Sequence, residues 1–123
     1  MSEDNERRSS RRHLACIPAH AAKKDGDPKL SVIRELSVSG AQLLTSVLPE
    51  VGAEMDLRLY IHLDAPEQSE HVFAKVVRVE KRPRGDFWPY LVAVHFDTAL
   101  SGLDHEIAEL AAHQASLFGG PPR

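Results

Sequence analysis

The chain reads as all-β with a terminal helix, a six-stranded antiparallel β-barrel of the split-barrel kind followed by a C-terminal α-helix. Two observations carry this expectation. Six short apolar runs recur at about ten-residue spacing between clusters of Gly, Pro, Asp and Ser, as strands joined by tight turns do. The last apolar stretch then changes period from two residues to the helical period. At 123 residues the chain is sized for one domain, with enough length to bury a core without disulfides or metal.

Each element follows from its residues. A first strand spans Leu14-Ala15-Cys16-Ile17-Pro18-Ala19-His20-Ala21, where Pro18 calls for an edge or a bulge because it has no N–H for a ladder. Residues 23–28 form a turn rich in breakers. Leu30-Ser31-Val32-Ile33-Arg34 and Ala41-Gln42-Leu43-Leu44-Thr45-Ser46-Val47 are the next two strands, and Glu35-Leu36-Ser37-Val38-Ser39-Gly40 is the elbow between them. Gly40 there implies either a positive φ or a close approach to the backbone, such as by a ligand. Glu35 and Ser37 lie two apart, which puts them on one strand face. Residues 55–63 alternate apolar and polar throughout, the mark of a half-buried strand. Residues 70–80 form a fifth strand whose alternation slips at Val76-Val77, which predicts a bulge. A sixth runs from Trp88 to Phe96 with Val92, Val94 and Phe96 on one face.

Ser101 with Asp104 three residues on resembles a capping box, and Leu103, Ile107, Leu110, Ala111, Leu117 and Phe118 then follow at helical spacing. Gly119-Gly120 and Pro121-Pro122 stop that helix, expected over about 101–118. The organisation is thus a flexible basic arm over 1–13, a barrel with its helix over 14–118, and a tail over 119–123.

Composition narrows the function classes. The chain is 42% hydrophobic and 27% charged, and its longest aliphatic run is Leu91-Val92-Ala93-Val94, far too short for a bilayer span. The charged N-terminus has no apolar leader segment, and the single Cys16 cannot form an internal disulfide; both point to the cytoplasm. Within the net charge of −3, Arg7, Arg8, Arg11 and Arg12 contribute +4, which leaves −7 for the rest. A basic arm on an acidic body suits an anionic ligand, since guanidinium forks match phosphates and base edges.

Nothing argues for catalysis. His105-Glu106-Ile107-Ala108-Glu109 has half of a zinc-helix pattern and lacks the second His, so a solvated helix face is the better reading, and no metal site is expected. Cys16 in an apolar strand reads as a buried small hydrophobe rather than a nucleophile. Trp88 and Tyr90 fit packing against the barrel or helix. Single-stranded nucleic acid is disfavoured because the body is acidic and lacks a row of strand aromatics for stacking bases.

Arm and elbow together carry a more specific signal. Arg8-Ser9-Ser10-Arg11-Arg12 has RxxxR spacing just before the first strand, and Glu35-x-Ser37-x-x-Gly40 follows about 23 residues later, one residue short of (D/N)xSxxG. With a strand ending Val94-His95-Phe96 before a helix, the chain resembles the PilZ domain family from Arg7 to about Phe118. That resemblance implies a non-enzymatic receptor for cyclic di-GMP in bacterial second-messenger signalling, with no cofactor besides this ligand. Arg8, Arg12, Glu35, Ser37 and Gly40 would form the site, and Arg7 with Arg11 is the alternative register. It further implies an output through a protein partner in motility, pili, secretion or exopolysaccharide (biofilm) machinery, without nucleic acid or membrane insertion, by a monomer or weak homodimer. Glu35 departs from the pattern, since its extra methylene shifts the carboxylate by about 1 Å and adds a rotor to immobilise. The alternative is therefore a PilZ-like protein-interaction module that does not bind nucleotide.

Overall fold

The computed structural model describes residues 13–62, 65 and 67–117. Six strands, β1 (His13–Lys23), β2 (Lys29–Leu36), β3 (Gly40–Thr45), β4 (Glu54–Leu59), β5 (Glu70–Lys81) and β6 (Tyr90–Phe96), precede the helix α1 (Asp104–Leu117). They close into a barrel in the order β1-β2-β3-β6-β5-β4, antiparallel throughout. The barrel is thus two three-stranded meanders, β1–β3 and β4–β6, joined along two seams, β3 with β6 and β1 with β4.

Alternation supplies the core. Met55, Leu57 and Leu59 of β4 face inward, as do Ile17, Ala19 and Ala21 of β1 and Val92, Val94 and Phe96 of β6. Burying each of the larger aliphatic side chains is worth roughly 1.5–3 kcal/mol. Inside the barrel, the Ser31 hydroxyl donates to Thr45 Oγ1 at 2.8 Å, which also accepts the Val47 N–H at 3.1 Å, so these buried polar groups are satisfied. Ile107 and Leu110 of α1 join the core, and the helix packs against β1.

The helix starts later than the capping box implied. Gly102 adopts a positive φ of 85°, which places Ser101 and Gly102 in a turn ahead of the helix. Leu103 instead accepts the first helical bond, from Ile107 N–H at 2.9 Å. The glycines and prolines beyond Leu117 lie outside the described residues.

Three further departures have local causes. Pro18 does not lie at an edge, because β1 is paired on both sides. The register shift between Leu14 and Ile17 is the irregularity beside it. On the β4 side, Tyr60 N–H donates to Pro18 O at 3.2 Å, but Pro18 has no N–H to return, so this ladder ends there. β4 accordingly stops at Leu59 rather than running on to 63, although Ile61 still packs into the core. Cys16 is exposed rather than buried, since Ile17, Ala19 and Ala21 hold the inward positions and Cys16 falls on the other parity. The bulge in β5 lies where the alternation slips, between Val76 and Arg78.

Gly40 is explained by the β3–β6 seam. It pairs with His95 at the start of β3, and a Cβ at this position would sit 2.5 Å from the Val94 carbonyl oxygen. Positive φ is not the reason; among the described residues the glycines with that conformation are Gly52, Gly85 and Gly102. Because the obstruction is backbone, Gly40→Ala has to push β3 from β6, and it is expected to lower stability by about 1–3 kcal/mol in urea unfolding. An unchanged midpoint would show that the seam tolerates a side chain.

Candidate functional site

The elbow between β2 and β3 is built by its own serine. Ser37 N–H donates to the Gly40 carbonyl at 2.9 Å, and Ser37 Oγ accepts the amide N–H groups of Ser39 and Gly40 at 3.2 Å each. The hydroxyl proton lies near Ser39 Oγ at 3.2 Å and Gly40 O at 3.3 Å. Ser37 is buried, and one donor and two acceptor sites exhaust a hydroxyl. Its first role is therefore to shape the turn.

The elbow is also tied to the rest of the barrel end. Phe96 N–H donates to Ser39 O at 2.8 Å and Leu100 N–H to Val38 O at 2.7 Å. Five amide donors thus converge on a connection of three residues between strands, which makes it a rigid platform.

Glu35 faces away from the core because β2 slips. Ser31 and Ile33 point inward, and unbroken alternation would send Glu35 inward as well. A register shift between Ile33 and Glu35 reverses the parity, so Leu36 enters the core and Glu35 is half-buried on the outside. Its cross-strand neighbours are Leu14 on β1 and Gln42 on β3. Gln42 is half-buried and carries both amide donors and a carbonyl acceptor beside the Glu35 carboxylate. Sequence reasoning missed it because its place opposite Glu35 follows from the β2–β3 register.

Arg7, Arg8, Arg11 and Arg12 lie outside the described residues. What is described is the point where the arm joins the barrel: His13 opens β1 opposite Leu36, one residue before Ser37. Glu35, Ser37 and Gly40 come together at the same barrel end, where Gly40 pairs with His95 across the seam and Ser39 O accepts the Phe96 N–H.

Other candidates remain apart from the elbow. His105 pairs with Glu109 at 3.1 Å across one helical turn, and no group of three or more potential metal ligands occurs among the described residues. Trp88 is half-buried and meets Phe87 edge-on at 5.1 Å, while Tyr90 packs against the core. A groove of about 410 Å³ runs between the start of β5 and residues 97–103, with Phe73, Asp97 and Leu100 among its walls. None of the elbow residues lines it. Beside it, a hydrogen bond that the protonated Glu54 carboxyl donates to Asp97 raises Glu54 above its usual range, with desolvation and the negative charge of Asp97 adding to the effect.

The PilZ domain family profile matches residues 6–112. Among solved structures, the chain is similar to the PilZ domain with c-di-GMP of YcgR from Escherichia coli, at 14% identity and a TM-score of 0.70, covering 91% of this chain and 96% of that one. It is also similar to the Bacillus subtilis inhibitor of motility MotI/DgrA, at 14% identity and a TM-score of 0.64, with 92% of this chain covered but only 52% of that protein. A third is the PilZ domain of CeSA from a cellulose-synthesizing bacterium, at 19% identity and a TM-score of 0.56, covering 85% and 98%. No curated protein matches. With that profile spanning most of the chain, the protein belongs to the PilZ domain family.

Proposed function

We propose that this chain is a receptor for cyclic di-GMP that passes the signal to a protein partner. The observation that carries the reading is the pairing of His13 with Leu36, which brings the start of β1, the residue that follows the basic arm in sequence, next to the Glu35–Gly40 elbow. Arg12 lies one residue and Arg8 five residues before His13, so the chain tethers them within roughly 4 and 18 Å of that point. Two guanidinium groups then meet an elbow that offers a carboxylate at Glu35 and a fixed backbone. Guanidinium forks suit phosphates and the O6/N7 edge of guanine, and a carboxylate accepts guanine N–H groups. A PilZ domain of the same fold with c-di-GMP supports the choice of ligand.

The arm would become ordered around the ligand, and this would change the surface that a partner meets. Motility is a reasonable setting, given the likeness to an inhibitor of motility. Glu35 tunes the site rather than abolishing it, since the carboxylate is kept and a single methylene and rotor cost roughly 0.5–1 kcal/mol.

Isothermal titration with cyclic di-GMP tests the reading. Absence of heat, together with unmoved amide resonances at Ser37, Gly40 and the arm, leaves only the adaptor that does not bind nucleotide. Arg8→Ala and Arg12→Ala are each expected to weaken affinity by about 1–3 kcal/mol without lowering the melting temperature of the free protein. If only Arg7→Ala and Arg11→Ala do so, those two residues hold the ligand instead. Glu35→Asp is expected to tighten binding, and equal or weaker affinity would mean that Glu35 is already fitted to its surroundings. Ser37→Ala is expected to behave differently from the arginine variants. Because its hydroxyl is committed to the Ser39 and Gly40 amides, stability falls by about 1–3 kcal/mol along with affinity. A change in affinity alone would assign that hydroxyl to the ligand.

A further inference from the structure

Beside the elbow, antiparallel pairing sets one row of outward side chains across four strands. Leu14 on β1 lies opposite Glu35 on β2, Glu35 opposite Gln42 on β3, and Gln42 opposite Ala93 on β6. Directly opposed residues share a face and hold their Cβ atoms roughly 4.5–5.5 Å apart. The row therefore reads apolar, acid, amide, methyl. Leu14 is 69% exposed, and Glu35, Gln42 and Ala93 are half-buried.

Gln42 is the one polar side chain on the outward face of β3, which otherwise carries Gly40 and Leu44. The core makes no use of its amide, because Ala41, Leu43 and Thr45 take the inward positions of the strand. No hydrogen bond joins the Gln42 side chain to another described residue. Its backbone is paired on both sides, with Glu35 and with Ala93, so a ligand has only the side chain to order. Ala93 is small, which leaves the amide uncrowded on the β6 side.

We propose that Gln42 is a base-reading residue of the cyclic di-GMP site, donating its NH2 to guanine O6 while the Glu35 carboxylate accepts the guanine N1–H and amino group. The inference rests on the ligand proposed above and names how its base is held. A lone carboxylate accepts any donor. A donor beside it along the sheet adds an order, acceptor then donor, that fits the guanine edge in one orientation, with its amino group toward β2 and O6 toward β3. Adenine carries an amino group where guanine has O6, and its N1 has no proton, so it cannot fill the same three contacts. O6 has two lone pairs, so it can accept from Gln42 and still meet an arginine fork through O6 and N7. On the far side of Glu35, exposed Leu14 supplies apolar surface for the purine ring.

Full-length protein labelled with nitrogen-15 is titrated with cyclic di-GMP and followed by calorimetry and by its amide resonances. On saturation, one proton of the Gln42 side-chain NH2 is expected to move downfield, a signature that needs no substitution. Gln42→Met, which keeps the length and loses the donor, should weaken binding roughly three- to tenfold while the melting temperature of the free protein stays unchanged and the elbow amides still shift with ligand. Gln42→Glu should weaken it further, because a second carboxylate then faces both O6 and Glu35. Cyclic di-IMP keeps O6 and N1–H but lacks the amino group, and Gln42→Met should cost it the same factor. A loss seen with cyclic di-GMP and absent with this analogue would overturn the assignment to O6. If the unaltered protein binds no cyclic di-GMP, the receptor reading falls and this inference with it. If it binds, but the Gln42 NH2 does not move and Gln42→Met leaves the affinity unchanged, this inference alone is overturned.

Discussion

The barrel depends on two seams that join residues far apart in sequence. Within each meander, neighbouring strands are linked by short connections and their pairing is local. The β3–β6 and β1–β4 pairings have no such help, and their limits are set by single residues. Gly40 allows β3 to begin against β6, because its missing Cβ leaves room for the Val94 carbonyl. Pro18 ends the ladder with β4, because it has no N–H to give. With both seams in place the inward residues of six strands meet in one core, and Ile107 and Leu110 of α1 pack onto it.

The same seam organises the candidate site. Gly40 starts β3, Ser37 folds the turn that delivers it, and Ser39 and Val38 accept amides from the end of β6 and the segment after it. A motif that looks like a list of ligand contacts is therefore also a piece of barrel engineering. Ser37 and Gly40 hold the backbone in place.

The two barrel ends differ in physical character. One has a platform fixed by backbone hydrogen bonds next to the start of β1; the other has exposed apolar side chains on its connections. A small β-barrel suits such a division, because antiparallel closure sends alternate connections to opposite ends of a rigid core.

Much of this was legible in the residues. Strand number, the terminal helix, the bulge at Val76 and the buried faces of β4 and β6 follow from alternation, which is a local property. The arm and elbow motifs made the family legible. What only the tertiary structure decided were features that depend on a neighbour across the sheet. The shift in β2 that turns Glu35 outward and Leu36 inward cannot be seen in β2 itself, and Gln42 becomes a neighbour of Glu35 only through that register. Cys16 falls outside the core because of the parity set by Ile17, and Ser101 loses the helix start to Leu103 because Gly102 turns the chain first. Gly40 was marked as special by its motif. Its reason, a carbonyl oxygen of a strand more than fifty residues away in sequence, exists only once the barrel has closed.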